Sequence, residues 1–278
     1  MLVVVGDAAL DVVARHTGPI AAGDDTLARV TLTAGGAGAN AAAWLAHLGA
    51  DVTLVSRVGA DAAAAQLREE LTARGVRCAF TVDAEATTGC VVVLVDETGQ
   101  RTMLPDRGAN GRLRSADVDL TGARHVHLSG YVLLEKSSRQ AGVEILAAAR
   151  AAGATTSVDP QSASLLGDGS SFLAAVQGVD LLLPNAEELR VLGDSHVLDT
   201  VGAVAVTDGA AGARWIEHSG TVRVPARAVE CVDTTGAGDA FNAGLLHAWL
   251  SGESRESALA AGVAAGTRAV SQVGAQPR

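Results

Sequence analysis

The segment Asp233-Thr-Thr-Gly-Ala-Gly-Asp-Ala-Phe241 places two carboxylates around a Gly-Ala-Gly turn, directly before an apolar run over residues 240–250. The turn leads into a helix. The first backbone N–H groups of a helix lack an intrahelical partner, and the helix dipole favours negative charge there. Gly236 and Gly238 allow a ligand to approach the backbone closely. Asp239, in the first turn, can take a proton from a hydroxyl while the amides hold a phosphate. An anion cradle beside a base is what phosphoryl transfer to an alcohol requires. An Asp at a helix start is also an ordinary cap, so the rest of the chain must decide.

A second glycine cluster, Gly35-Gly-Ala-Gly-Ala-Asn40, also opens a helix. Gly36-x-Gly38-x-x-Ala41 formally matches a dinucleotide fingerprint. That fingerprint belongs in the first strand-to-helix turn, however, and here a strand and two polar segments come first. The Gly-Gly pair can instead bring N–H groups to a polar ligand, and Asn40 offers a donor and an acceptor suited to sugar hydroxyls. Asp11 adds a carboxylate that can accept from two hydroxyls. Pro184-Asn-Ala-Glu-Glu-Leu189 starts another helix. Asn185 and Glu188 can form a capping box there, or hold a hydrated Mg²⁺ beside phosphates. Thr207-Asp-Gly-Ala-Ala-Gly212 reads equally as a hairpin or as a nucleotide-phosphate contact.

Composition narrows the chemistry. The formal charge of −10 argues against nucleic-acid binding, which relies on basic surface. Lys136 is the only lysine, and no G-x-x-x-x-G-K-[ST] is present, which excludes a P-loop. Cys78, Cys90 and Cys231 have neither metal-ligand nor disulfide-framework spacing, as expected of a cytoplasmic protein. The seven histidines lack H-E-x-x-H spacing. No segment approaches the ~20 apolar residues of a membrane span, so no membrane partner is expected.

The elements that must position these groups read as follows. Residues 2–5 form a buried strand ending at Gly6-Asp7. Strands at 52–56, 125–129, 155–158, 180–183 and 203–207 alternate with helices at 37–48, 62–73 and 138–152. Two helices, 238–250 and 255–271, close the chain after short strands at 213–217 and 221–224. Such alternation predicts an α/β fold with a mainly parallel sheet covered on both faces, binding ligands at the strands' carboxyl ends. Asp7, Asp159, Asn185, Thr207 and Asp208 stand at those ends. Polar and alternating segments at about 11–33 and 76–105 are expected to form a small β-rich lid, with Asp96-Glu-Thr-Gly99 as a hairpin turn. One domain over residues 1–278 is expected, with these two segments inserted. Exposed lid edges suggest a homodimer in which two lids pair.

Together these features resemble the ribokinase-like (PfkB) family of carbohydrate kinases over nearly the whole chain. The resemblance rests on Gly35-Gly-Ala-Gly-Ala-Asn40, continuing to Leu48-Gly-Ala-Asp51 and Val58-Gly-Ala-Asp61, and on the 233–241 segment. It implies a three-layer α/β/α sandwich with a β-rich lid, and an ATP-dependent kinase requiring Mg²⁺. The acceptor it implies is a hydroxymethyl group of a small sugar, ribose-like in the first instance. Nucleoside and sugar-acid kinases are alternatives, the last because Arg107 could pair with a carboxylate; so is a catalytically silent sugar- or nucleotide-binding regulator.

The resemblance makes Asp239 the catalytic base and the amides of Gly236, Ala237 and Gly238 the anion hole. It makes Asp11, Gly35, Gly36, Asn40 and Asp233 substrate contacts. Asn185, Thr207, Gly209 and Gly212 would bind ATP, and Glu188 would hold Mg²⁺ through water. Asp233, Thr235 and the 269–274 turn correspond to a monovalent cation site for K⁺. A side-chain ligand expected in that last region is replaced by terminal Arg278, a departure that weighs against potassium activation.

Overall fold

The computed structural model describes residues 1–193 and 196–278. In chain order the elements are β1 (Leu2–Val5), β2 (Ala9–His16), β3 (Ala28–Gly35), α1 (Ala37–His47), β4 (Val52–Gly59), α2 (Ala62–Ala73), β5 (Arg77–Asp83), β6 (Gly89–Val95) and β7 (Arg101–Asp106). They continue with β8 (His125–Ser129), α3 (Tyr131–Leu134), α4 (Arg139–Ala151), β9 (Thr155–Asp159), α5 (Ser170–Ala175), β10 (Leu181–Leu182) and α6 (Ala186–Leu192). The last are β11 (Ala203–Thr207), β12 (Ala213–Glu217), β13 (Gly220–Val224), α7 (Ala237–Leu250) and α8 (Arg255–Val270).

Nine strands form the main sheet in the order β13-β12-β11-β10-β9-β8-β1-β4-β5. It is parallel from β5 to β11, and β12 and β13 add antiparallel pairs at one edge. Successive side chains of a strand face opposite ways, and this builds two cores. Leu2 and Val4 pack with Trp44, Leu45 and Leu245 on one face, whereas Val3 and Val5 pack with Ile145 and Leu146 on the other. The same division separates Ala203 and Ala205 from Val204 and Val206 on β11. The result is the expected three-layer ribokinase-like α/β/α arrangement.

His125 and His127 are buried polar groups inside this core. His125 bonds to Thr155 and Ser157, and His127 to Ser157, each at 2.8 Å. Burial pushes their pKa values down to about 3 and about 4, so both are neutral structural groups. Among the described residues no cluster of three His, Cys, Asp or Glu could hold a metal directly, and no helix is long and apolar enough to cross a membrane.

The second sheet, β3-β2-β6-β7, is the lid. Its β6–β7 turn is the expected hairpin, closed by Asp96, whose carboxylate accepts from Thr98 N–H and Gln100 N–H. One expectation needs correcting. β5, the first strand of the predicted 76–105 lid segment, pairs in parallel with β4 in the main sheet. The lid strands therefore fall within residues 9–35 and 89–106.

Candidate active site

Gly6, at the end of β1, packs against the start of α1, where a Cβ on Gly38 would lie 2.7 Å from the Gly6 carbonyl carbon. Gly36 has φ 91°, and a Cβ there would meet the Asp7 carbonyl at 2.5 Å. Only glycine fits this joint. It follows lid strand β3 rather than β1, which removes the structural context a dinucleotide fingerprint requires. Asp11, on β2, lies over Gly35: a Cβ at 35 would sit 2.2 Å from a carboxylate oxygen. Asp11 is buried, and burial raises its pKa to about 6.

Across the site, Gly236 caps α7 in the left-handed conformation. Ala240 N–H makes the first helical bond, to Gly236 O at 2.8 Å. The amides of Gly238 and Asp239 precede it and so have no partner within the helix. Ala237, expected to complete the anion hole, donates a long 3.3 Å bond back to Thr234 O. Asp239 is buried. Its Oδ2 accepts from Asn40 Nδ2 at 3.0 Å, so the two glycine motifs meet although 199 residues separate them. Burial raises the Asp239 pKa to about 7, opposed by hydrogen bonds from Asn40 and Gln161. A carboxyl poised there can act as a base near neutral pH.

A polar cavity of about 200 Å³ joins Asp239, Gly236, Ala237 and Gly238 to Asn185, Glu188 and Thr207. Asn185 caps α6 in a full capping box. Glu188 N–H donates to Asn185 Oδ1 at 2.9 Å, and Asn185 N–H donates to Glu188 Oε2 at 2.8 Å. The cap and the cavity wall are thus the same residues.

Asp159, Gln161 and Asn242 also line it, with Leu183 and Thr234. Asp159 ends β9 and accepts from Asn242 Nδ2 at 2.6 Å and Gln161 N–H at 2.8 Å. Burial, then the charges of Glu188 and Asp239, push its pKa well up. Burial likewise raises Glu188. Gln161 is the one non-glycine residue with positive φ among those described, at 73°. The sequence held signals for two of these: Asp159 at a strand end, and Asn242 one helical turn after Asp239. Two buried carboxylates held against each other suit a hard cation carried through water.

The segment 207–212 runs on from β11. Thr207 N–H bonds Pro184 O at 3.0 Å, and Gly212 has φ 104°. Asp208 pairs with Arg214 through two bonds at 2.6 and 2.9 Å. An open groove of about 530 Å³, lined by Asp208, Ala211, Arg214, Arg223 and Val224 among others, adjoins this loop. It is the larger space. The smaller cavity is the one in which a buried carboxyl, Asp239, and helix-start amides coincide.

Asp233 is engaged within the protein. Its Oδ1 accepts from Thr235 N–H and Oγ–H and from Arg101 of β7, and its Oδ2 accepts from Gly274 N–H at 3.0 Å. Burial works against its charge, yet bonds from Thr235, Gly274 and Arg101 outweigh it and hold the carboxyl below its usual range. Arg101 also donates to Thr234 Oγ. With a guanidinium already on Asp233, the 233–235 side chains do not fit a second cation. They tie the lid to the turn before α7. Arg107 is similarly engaged: its Nε and Nη2 bond both oxygens of Asp7 at 2.8 and 2.7 Å.

Comparison with known proteins identifies the family. Residues 1–278 match the family described as pfkB family carbohydrate kinase. An ATP-dependent ribose-1-phosphate kinase from Halopiger xanaduensis is 32% identical over 268 residues, covering 93% of this chain and 87% of that protein. A ribokinase from Haemophilus influenzae is 29% identical, covering 87% and 82%. The crystal structure of adenosine kinase from Sinorhizobium meliloti superposes with a TM-score of 0.89 at 25% identity, over 99% of this chain and 95% of that one. The fold is also that of a Pyrococcus horikoshii sugar kinase solved with ATP, at a TM-score of 0.86, 24% identity, and coverage of 100% and 95%. The chain belongs to the pfkB family of carbohydrate kinases, phosphotransferases that act on sugars or nucleosides.

Proposed function

We propose that this kinase transfers the γ-phosphoryl group of ATP to the hydroxymethyl oxygen of a ribose-like sugar. The observation that carries the reading is a buried Asp239, poised to titrate near neutrality, at the start of α7 beside the free amides of Gly238 and Asp239. The sugar lies under the lid against Asp11, Gly35 and Gly36. Asn40 has one N–H left for it, since the other amide positions are engaged by Asp239 and Gln276. ATP lies along the loop containing Thr207, Gly209 and Gly212. Asp239 accepts the hydroxyl proton, and the oxygen attacks in line. The helix-start amides receive the charge that develops on the phosphoryl oxygens.

Glu188, Asp159 and Asn185 would hold hydrated Mg²⁺, which when bound neutralises the charge of the transferring phosphates. Potassium has no role in this scheme, because the Asp233 carboxylate is already engaged by Arg101 and Gly274. Lid closure excludes water from the cavity.

A sugar acid would have to meet Arg107 at Nη1 alone, because its Nε and Nη2 are on Asp7, and a ribose-type acceptor remains the first choice. A silent regulator is disfavoured because base and amides are both in place. The test is ADP release from Mg-ATP with ribose, ribose 1-phosphate, fructose, sugar acids and adenosine. The highest kcat/KM is expected with the ribose-type sugars. Turnover with adenosine alone would replace the acceptor by a nucleoside, and binding without turnover across the panel would favour the regulator.

The lid also bears on assembly. β3 and β7 are its outer strands and expose Val30, Leu32, Met103 and Leu104. Apolar edge strands are normally covered, so two lids are expected to pair. Light scattering should give twice the chain mass, and Leu32→Lys should halve it. A wild-type monomer at working concentration would end this part of the reading.

A further inference from the structure

The ionisable residues that line the Asp239 cavity are all acidic. Asp159, Glu188 and Asp239 border it, and no Lys, Arg or His does so among the described residues. Phosphoryl transfer gathers negative charge, and positive groups near the transferred phosphoryl stabilise it. The one lysine of the chain, Lys136, is exposed just after α3. A positive charge does stand directly behind the wall. Thr234 lines the cavity, and its hydroxyl oxygen accepts from Arg101, the first residue of lid strand β7.

Arg101 reaches the turn before α7 from 132 residues away. One guanidinium nitrogen donates to Asp233 Oδ1 and the other to Thr234 Oγ. Among the described residues no other cationic side chain bonds to the 233–238 turn. Asp233 gives that turn its shape: it accepts from Thr235 N–H at 2.9 Å, from Thr235 Oγ–H at 2.6 Å and from Gly274 N–H at 3.0 Å. The turn therefore needs this carboxylate, although its charge opposes a phosphate arriving at the start of α7. The side chains of Arg101 and Asp233 are only 23% and 11% exposed, so solvent and salt screen the pair less than a surface ion pair. The resemblance to carbohydrate kinases puts a monovalent cation against this same carboxylate, and here a guanidinium of the protein is on it.

We propose that Arg101 is a lid-borne counter-ion: it cancels the charge of Asp233 beside the helix-start amides, in the place of a monovalent metal ion. The proposal rests on the phosphoryl group being received at the start of α7. Arg101 acts through Asp233 and Thr234, so it is a positioning residue. Its charge rides on the lid, and the turn is balanced only while the lid lies over the site. Closing the lid and completing the electrostatics of the turn are then one event, which a dissolved cation would not couple.

Arg101→Ala removes the charge and the lid tether together, and a free cation can restore only the charge. Its kcat is expected to fall by about 10–100-fold, the usual cost of losing a partner one step behind a reacting group. Guanidinium or methylguanidinium, at concentrations that leave the Tm of the variant unmoved, should restore most of that loss and should not speed the wild type. Arg101→Lys keeps the charge without the two-nitrogen fork and should fall between the two. Potassium chloride, set against tetramethylammonium chloride at equal ionic strength, should leave the wild-type kcat unchanged. Undiminished kcat in Arg101→Ala would overturn the proposal. So would a loss that neither the added cations nor lysine relieves, which is what a tether alone would give, and so would potassium activation of the wild type. Gly238→Ala is run in parallel. If it is stable and fully active, the placement of the phosphoryl group at the start of α7 has failed; if it is slowed while Arg101→Ala is not, only the counter-ion role has failed.

Discussion

Asp239→Asn is expected to lower kcat by about 10²–10⁴-fold, the range that general-base catalysis contributes. Substrate binding should change little, since an asparagine oxygen can still accept from Asn40 Nδ2 in the geometry Asp239 now uses. KM and kcat separate these effects, because a loss confined to turnover is the mark of an interaction made in the transition state. A variant with undiminished kcat would require another base.

The same carboxylate sets two pH dependences of opposite sense. Burial raises its folded pKa from the ordinary 3.8 to about 7. Between about pH 4 and 7 the folded protein holds a proton that the unfolded chain has released, so this group makes stability fall as pH rises through that window. Activity rises over its upper part, because only the ionised form accepts a proton. Asp239→Asn removes both effects. Its Tm at pH 8 should exceed that of the wild type, with a smaller difference at pH 5. An inactive variant that is more stable at pH 8 cannot be inactive through unfolding. Base strength here is gained at the expense of stability.

The two glycine motifs were legible in the sequence because each is contiguous and its function lies in the backbone. Gly36 and Gly236 adopt positive φ where a Cβ would strike a carbonyl, so their identity reports local geometry directly. The helices and parallel strands were legible from period alone. The place of β5 was not. Its first four residues alternate between exposed and half-buried, and that pattern suits the edge of the main sheet as well as it suits a lid. The short α3 and α5 span too few residues for a helical period to register. Asn40 offers a donor and an acceptor in the sequence, and nothing local reveals that its oxygen is taken by a residue 236 positions away. Gln276 and Arg101 carried no signal for the same reason. Their partners are set by how α1, α7, the lid and the segment after α8 come together.

Gly238→Ala is expected to separate the anion hole from the fold. Gly238 lies in the first turn of α7 and borders the cavity, and a Cβ there would meet nothing within 4 Å. Alanine is preferred to glycine within a helix by about 1 kcal/mol, so Tm should hold or rise. The methyl would occupy the space beside the amides that receive the phosphoryl group, and kcat should fall by about 10²–10³-fold, as when one such donor is lost. Gly236→Ala differs. Its φ is 71°, and the new Cβ would lie 2.6 Å from Ala275 O and 2.8 Å from Ala275 Cα. The left-handed conformation costs a non-glycine residue about 1–2 kcal/mol, and the clash pushes away the segment that carries Gln276. Tm and kcat should therefore fall together at 236, whereas kcat alone should fall at 238. Thermal melts and initial rates on the two variants decide the matter. If Gly238→Ala is both stable and fully active, the phosphoryl group does not sit on these amides, and the start of α7 is only a helix cap.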